Sequence, residues 1–97
     1  MIIALKKFGT TLTSRQGGKE AFSAFLPILR EVNGSEDILV DFDGVITFTP
    51  SWGDEFLRPL FDMFPGRVLL KQTDNASVLA TLKMLERVYS RPLPFGS

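Results

Sequence analysis

The chain has 97 residues, the size of a single domain, and 44% of them are hydrophobic, with nine phenylalanines among them. Eleven Lys and Arg residues balance eleven Asp and Glu residues, and the absence of any basic cluster argues against a nucleic-acid binder. The chain contains no Cys and no His, which excludes disulfides, thiol nucleophiles, His-dependent triads and the usual zinc sites.

Any catalysis would therefore have to use carboxylates, Lys, Tyr or hydroxyls, so the composition favours a non-enzymatic protein without a metal or cofactor. The first apolar run is too short for a signal peptide, and no segment approaches the roughly 20 apolar residues of a membrane span. We expect a cytoplasmic protein that does not enter a membrane.

The first half of the chain predicts a strand and a helix. Residues 2–8 form an apolar strand, and residues 10–17 form a polar corner after it. Apolar positions at helical spacing predict a helix over residues 18–32. Pro27 is expected to bend this helix, and Asn33-Gly34-Ser35 is expected to end it.

The second half continues the alternation. Residues 37–42 are apolar at consecutive positions, which predicts a strand buried on both faces. A helix follows over residues 51–64, and a third strand over 67–71. One stripe of the helix carries the large apolar residues Trp52, Phe56, Leu60 and Phe64.

The last predicted element is a helix capped by either Asp74 or Asn75. Its apolar face contains Val78, Leu82, Leu85 and Tyr89. We predict a single domain over residues 1–90, followed by an irregular tail at 91–97.

This order of elements predicts an α/β fold with a small, mostly parallel or mixed sheet of about four strands and three main helices packed against it. Strands joined by crossover helices run parallel, with a right-handed connection. The corners at 10–17, 43–51 and 72–75 should then lie at one edge of the sheet, where open α/β sheets bind ligands.

The run DFDGVI resembles the first motif of haloacid-dehalogenase-type phosphatases. That resemblance implies Asp41 as the nucleophile, Asp43 as the general acid/base, and magnesium. Thr73 and Lys83 are candidates for the family's hydroxyl and lysine, but the sequence has no late acidic pair. Ordinary turn chemistry at Asp43-Gly44 is the simpler interpretation. A magnesium-dependent phosphohydrolase remains the alternative function.

Thr49-Pro50-Ser51 leads into the second helix. Ser51 and Asp54 have the spacing of a capping box, or else Thr49 caps and Pro50 takes the first helical position. In either case Ser51 lies in the first turn, where the helix dipole favours a phosphate. Ser51 therefore either only caps the helix or accepts a phosphate that acts as a switch.

The run DFDGVITFTPSWGDEF resembles the corner of STAS domains, typified by bacterial anti-sigma-factor antagonists. It is more specifically similar to a STAS-like family of unknown function with a D-F-x-G-V strand and a Pro-Ser-aromatic helix start. Upstream, Ser14-Arg15-x-x-Gly18 resembles that family's first corner. The positions that fill the pattern at the second corner are Asp41, Phe42, Gly44, Val45, Pro50, Ser51, Trp52, Asp54 and Glu55.

The resemblance implies a signalling or regulatory module that works by protein–protein contact. It makes Ser51 the candidate acceptor of a phosphate from a kinase-like ATPase, and it places a docking surface at residues 43–52, which include Asp43 and Thr49. The flanking Pro50 and Trp52 depart from the small residues of the antagonists. The oligomeric state is not predicted.

Two further residues have two possible roles each. Arg15 either reaches a phosphate or an acidic partner group beside Ser51, or pairs with Glu20 or solvent. Trp52 is either an anchor for the partner or a core residue on the stripe of the second helix.

Overall fold

The computed structural model describes residues 1–96. The chain forms three α-helices, α1 (Arg15–Leu29), α2 (Pro50–Met63) and α3 (Ala76–Tyr89). It also forms six short strands: β1 (Ile2–Ala4), β2 (Thr11–Leu12), β3 (Ile38–Asp41), β4 (Thr47–Phe48), β5 (Val68–Lys71) and β6 (Phe95–Gly96). Among the described residues, no helix combines the length and the apolar content needed to cross a membrane.

The main sheet has the order β1-β3-β5-β6, and every neighbouring pair is parallel. A second parallel pair joins β2 to β4. Because successive right-handed crossovers move along the sheet in one direction, all three helices lie on one face. The predicted α/β fold, with three helices on a sheet of four strands, is confirmed.

The prediction that strand β3 is buried on both faces is wrong. Ile38 and Val40 are fully buried, whereas Leu39 and Asp41, which point to the other face, are only partly buried. Strand β5 repeats the alternation. In residues 1–96 no helix covers this second face, so the open side of the sheet has a row of half-exposed apolar side chains.

The predicted first strand is too long. Pairing ends at Ala4, and Leu5–Phe8 form a 3-10 helix. Residues three apart share a side in such a helix, so the turn directs both Leu5 and Phe8 toward the core. Leu5 is fully buried, and the Phe8 ring lies 5.3 Å from that of Phe56.

Helix α1 begins three residues earlier than predicted, because Ser14 caps it. Its Oγ accepts from the backbone N–H of Gly17 at 2.9 Å. Gly18 then lies directly against α2, where an added Cβ would meet the Trp52 carbonyl oxygen at 2.5 Å. The helix contains Pro27, as expected, but ends at Leu29 instead of residue 32.

The tail is only partly irregular: residues 91–94 belong to no helix or strand, but Phe95 and Gly96 form strand β6. Strand β6 pairs with β5, and the backbone N–H of Leu70 donates to the carbonyl of Pro94 at 2.8 Å. Leu93 is only 5% exposed. The fold therefore extends to Gly96, and Ser97 of the predicted tail lies outside the described residues.

Candidate functional site

Two of the predicted corners are joined by a strand pair. Strand β2 lies in the first corner and strand β4 in the second. The N–H groups of Ile46 and Thr47 both donate to the carbonyl of Thr10, and the N–H of Thr49 donates to the carbonyl of Leu12 at 3.0 Å. The second corner is thus a fixed, hydrogen-bonded segment. The sequence analysis predicted the two corners but not the strand pair between them.

The third corner supports the same segment from the other side. The Asn75 side-chain amide donates to the carbonyl of Val45 at 2.9 Å. Phe48 N–H donates to Ser77 Oγ at 3.0 Å, and the hydroxyl of buried Thr81 donates to the Phe48 carbonyl. The prediction that all three corners meet at one edge of the sheet is confirmed.

The two aspartates form a turn. Asp41 Oδ1 accepts from the backbone N–H of Asp43 at 3.0 Å, and Val45 N–H donates to the Phe42 carbonyl. Gly44 has a φ of +85°, which a residue with a side chain rarely adopts. This geometry agrees with the simpler of the two interpretations, in which Asp43-Gly44 belongs to an ordinary turn.

The same turn borders an open depression of about 370 Å³. Lys71 Nζ lies 3.7 Å from Asp41 Oδ2 at its edge. Thr73 lines this depression, as the phosphatase alternative requires. Lys83, the predicted lysine of that alternative, lines a different depression near Pro92, so the prediction for Lys83 is wrong. Within residues 1–96 no three Asp, Glu, His or Cys side chains are grouped as a metal site would require. The depression is lined by Asp41, Asp43, Lys71, Gln72, Thr73 and Asp74.

Ser51 is the second residue of α2 and does not cap it. Thr49 occupies the N-cap position with extended backbone, and Pro50 takes the first helical position, as one of the two predicted arrangements has it. The Thr49 hydroxyl does not cap either, because it donates to the carbonyl of Thr13 at 2.7 Å. Ser51 is partly exposed, and the first-turn N–H groups of a helix have no partner inside it.

Arg15 does not pair with Glu20, and it is not a solvent-exposed residue without a partner. Its Nη1 lies 2.8 Å from Glu55 Oε1 and 3.3 Å from Asp54 Oδ2, while Gln16 donates to Glu20. The hydrogen bonds to the two carboxylates raise the pKa of Arg15. Arg15 therefore joins the beginning of α1 to the beginning of α2.

Asp54 is the residue on which all three helices meet. The sequence analysis placed it in a capping box and in the STAS-like pattern, and neither predicts this contact between helices. Besides its contact with Arg15, Asp54 accepts a hydrogen bond from the Tyr89 hydroxyl at 2.7 Å, and its Oδ1 lies 3.6 Å from Arg58 Nε. Burial by itself would raise the pKa of Asp54, but the hydrogen bonds from Tyr89 and Arg15 and the charge of Arg58 outweigh it, so the pKa is lowered. The sequence signal that could have indicated this contact is the hydroxyl group of Tyr89 on an otherwise apolar helical face, because a buried hydroxyl needs a hydrogen-bond partner.

Trp52 is a core residue, and its assignment as an anchor for a partner is wrong. It is only 3% exposed, stacks on Phe56 with ring centroids 5.2 Å apart, and packs against Phe48 at 5.9 Å. The other predicted role of Trp52, a core residue on the apolar stripe of α2, is confirmed. Asp43, another residue of the predicted docking surface, is in contrast exposed.

The comparisons with known proteins give no relative from which a function could be transferred. No protein-family model matches the chain, and no curated protein or solved structure shows significant similarity to it. The likeness to STAS domains therefore depends on the residues quoted above and stays a prediction.

Proposed function

We propose that this chain is a STAS-like, non-enzymatic regulatory domain that docks a protein partner at residues 43–52, and that phosphorylation of Ser51 switches the docking. One observation carries the proposal: Ser51 lies partly exposed in the first turn of α2, at the end of a corner that hydrogen bonds hold from both sides. A fixed backbone presents the same surface to a partner each time, which reduces the entropy lost on binding.

The corner offers suitable contacts. Ile46 is 66% exposed, and Asp43, three residues before it in the chain, is an exposed carboxylate. Two depressions of about 370 Å³ flank the corner, one at Asp43 and Thr73 and one at Thr13 and Trp52. Such recesses can receive side chains of a partner.

The switch would act through charge. A kinase-like ATPase partner would supply the phosphate: the Ser51 oxygen attacks the γ-phosphorus of a nucleoside triphosphate, the bond to the β–γ bridging oxygen breaks and the diphosphate leaves. The hydroxyl proton passes to a base of the kinase. The product carries up to about two negative charges at pH 7, beside Asp54 and Glu55, enough to repel an acidic partner surface or recruit an arginine.

The test is partner capture with matched variants. Ser51→Asp adds a charge, and Ser51→Asn changes size similarly without one. We expect a partner held by the wild type and Ser51→Asn to be lost with Ser51→Asp, with circular dichroism showing all three folded. Equal capture by the Asn and Asp variants would refute the switch.

A second pair of variants tests the position of the surface. Ile46→Asp should abolish capture, because it places a charge inside the proposed interface. Val88→Asp, a change at a residue of α3 that is 59% exposed, should not. Loss with Val88→Asp alone would move the interface away from the corner.

The alternative, a magnesium-dependent phosphohydrolase, is favoured by one observation: Asp41, Asp43, Lys71 and Thr73 border one depression. It predicts magnesium-dependent turnover of p-nitrophenyl phosphate that Asp41→Asn abolishes. The amide oxygen of that variant can still accept from Asp43 N–H, so the turn should survive. Asp74→Asn, in the same depression, is the control for a nonspecific loss of charge.

A further inference from the structure

Arg15 and Ser51 occupy equivalent positions after two paired strands. Strands β2 and β4 pair Leu12 with Phe48. The hydrogen bond from the Thr49 hydroxyl to the Thr13 carbonyl continues that register by one residue. Counting two residues onward from Thr13 and from Thr49 gives Arg15, the first residue of α1, and Ser51, the second residue of α2.

Arg15 already lies on the face of α2 that carries Ser51. Residues three and four apart on a helix are neighbours on its surface, so Asp54 and Glu55 are the neighbours of Ser51. These are the two carboxylates that Arg15 contacts. The Arg15 side chain is 57% exposed and reaches both carboxylates with one nitrogen, Nη1, so it can rearrange without leaving a buried site.

A phosphate on Ser51 would compete with these carboxylates for the arginine. The phosphate would add as many as two negative charges next to Asp54 and Glu55. Arg15 is the α1 residue that pairs with both of these carboxylates. The phosphate also offers three acceptor oxygens to the forked guanidinium, which binds phosphate with two parallel hydrogen bonds. Both effects favour movement of Arg15 toward the phosphate.

We infer that phosphorylation of Ser51 transfers Arg15 from Asp54 and Glu55 to the phosphate, so that the modification alters the contact between α1 and α2 and not only the charge of the corner. This inference depends on the modification proposed above. Asp54 keeps Tyr89 and Arg58 after the exchange, so α2 and α3 stay joined while α1 is held by the phosphate.

The test uses the isolated chain, made by chemical synthesis with phosphoserine at position 51, and needs no partner or kinase. Phosphorus NMR follows the titration of the phosphate, whose pKa is about 6 when unperturbed. A nearby cation favours the dianion and lowers this pKa. We expect the phosphate of the otherwise wild-type chain to titrate at least about half a pH unit lower than that of the Arg15→Gln chain.

Arg58→Gln is the matched control. It also removes an arginine beside Asp54, but Arg58 lies seven residues from Ser51, about 10 Å along the helix axis, and its loss should leave the phosphate pKa nearly unchanged. The same phosphate pKa with and without Arg15 would overturn the inference, as would an equal rise in both arginine variants.

A direct measurement covers the case in which Arg15→Gln unfolds. A synthetic chain labelled with ¹⁵N only in Arg15 should show changed guanidinium resonances and through-hydrogen-bond coupling to phosphorus when Ser51 is phosphorylated. Unchanged guanidinium resonances would overturn the inference. Because this readout involves no partner, its failure is distinguishable from a failure of the proposed docking.

Discussion

The Asn75 side chain donates to the Val45 carbonyl at 2.9 Å while its Oδ1 accepts from the backbone N–H of Val78 at 3.0 Å. One side chain thus caps α3 and also fixes the corner before β4. The amide nitrogen and oxygen each face a group of the opposite kind, so a single orientation satisfies both. This arrangement makes the corner depend on a residue 30 positions away.

Asn75→Asp separates the two roles of this residue. A carboxylate still caps the helix and favours its positive end, but it cannot donate to Val45 and places negative charge against that carbonyl. We expect the free energy of unfolding to fall by about 1–3 kcal/mol at neutral pH, measured by urea unfolding with Trp52 fluorescence.

Asn33→Asp is the control for this change. The Asn33 oxygen only accepts, from the N–H and hydroxyl of Ser35, and a carboxylate can do the same. Its effect should lie within about 0.5 kcal/mol. If both variants behave alike, the bond from Asn75 to the corner contributes nothing measurable.

Gly18→Ala tests the close approach of α1 to α2. Alanine is normally better than glycine inside a helix by about 1 kcal/mol. Here the added carbon would lie 2.5 Å from the Trp52 carbonyl oxygen and 3.0 Å from its Cα, atoms of the backbone that cannot rotate away. We therefore expect a loss of about 1–3 kcal/mol in thermal or urea unfolding.

Gly34→Ala provides the comparison, because no atom lies within 4 Å of the carbon it would add. That change should be neutral or stabilising by up to about 1 kcal/mol. A stabilised Gly18→Ala variant would show that the helices separate easily, and the tight contact at Trp52 would then be incorrect.

Much of the fold was predictable because it is encoded locally. The apolar stripe of α2 has helical spacing, all four of its predicted members are buried, and Asn75 was one of two predicted caps. Strands β2, β4 and β6 were missed because each has two residues, too few for a periodic pattern. Their existence depends on pairing with distant segments.

The site was only partly predictable for the same physical reason. The turn at Asp43-Gly44 follows from residues next to one another, and it was predicted. Arg15 was predicted either to reach a phosphate or an acidic partner group beside Ser51 or to pair with Glu20 or solvent, whereas it pairs with two carboxylates of its own chain, 39 and 40 residues away. Sequence spacing within a helix cannot reveal contacts between two helices.

Trp52→Ala should be strongly destabilising because the indole is part of the core. Truncation of a buried Trp removes its packing and leaves a cavity, so we expect a loss of about 3–5 kcal/mol, measured by circular dichroism in urea. Ile46→Ala, at an exposed apolar residue of the corner, should change stability by less than about 0.5 kcal/mol. Similar losses for the two variants would contradict the buried position of Trp52.

Tyr89 gives a pH dependence that can be measured without interference, since it is the only tyrosine. Burial raises its pKa, and the hydrogen bond to Asp54 raises it further. A pKa raised by folding stabilises the protein below the ordinary value of about 10, and this contribution is lost as the pH rises through the folded value. The wild type should therefore lose stability relative to Tyr89→Phe above about pH 10.

Urea unfolding between pH 7 and 11 measures that difference, and tyrosinate absorbance of the folded chain measures the pKa of Tyr89 itself. Asp54→Asn keeps an acceptor for the hydroxyl but removes the charge, so the phenol should titrate at a lower pH in that variant. A folded wild type whose tyrosine titrates near its ordinary pKa would mean that the Tyr89–Asp54 bond is absent in solution. The join between α2 and α3 at Asp54 would then be lost, and with it the three-helix contact that an exchange of Arg15 would alter.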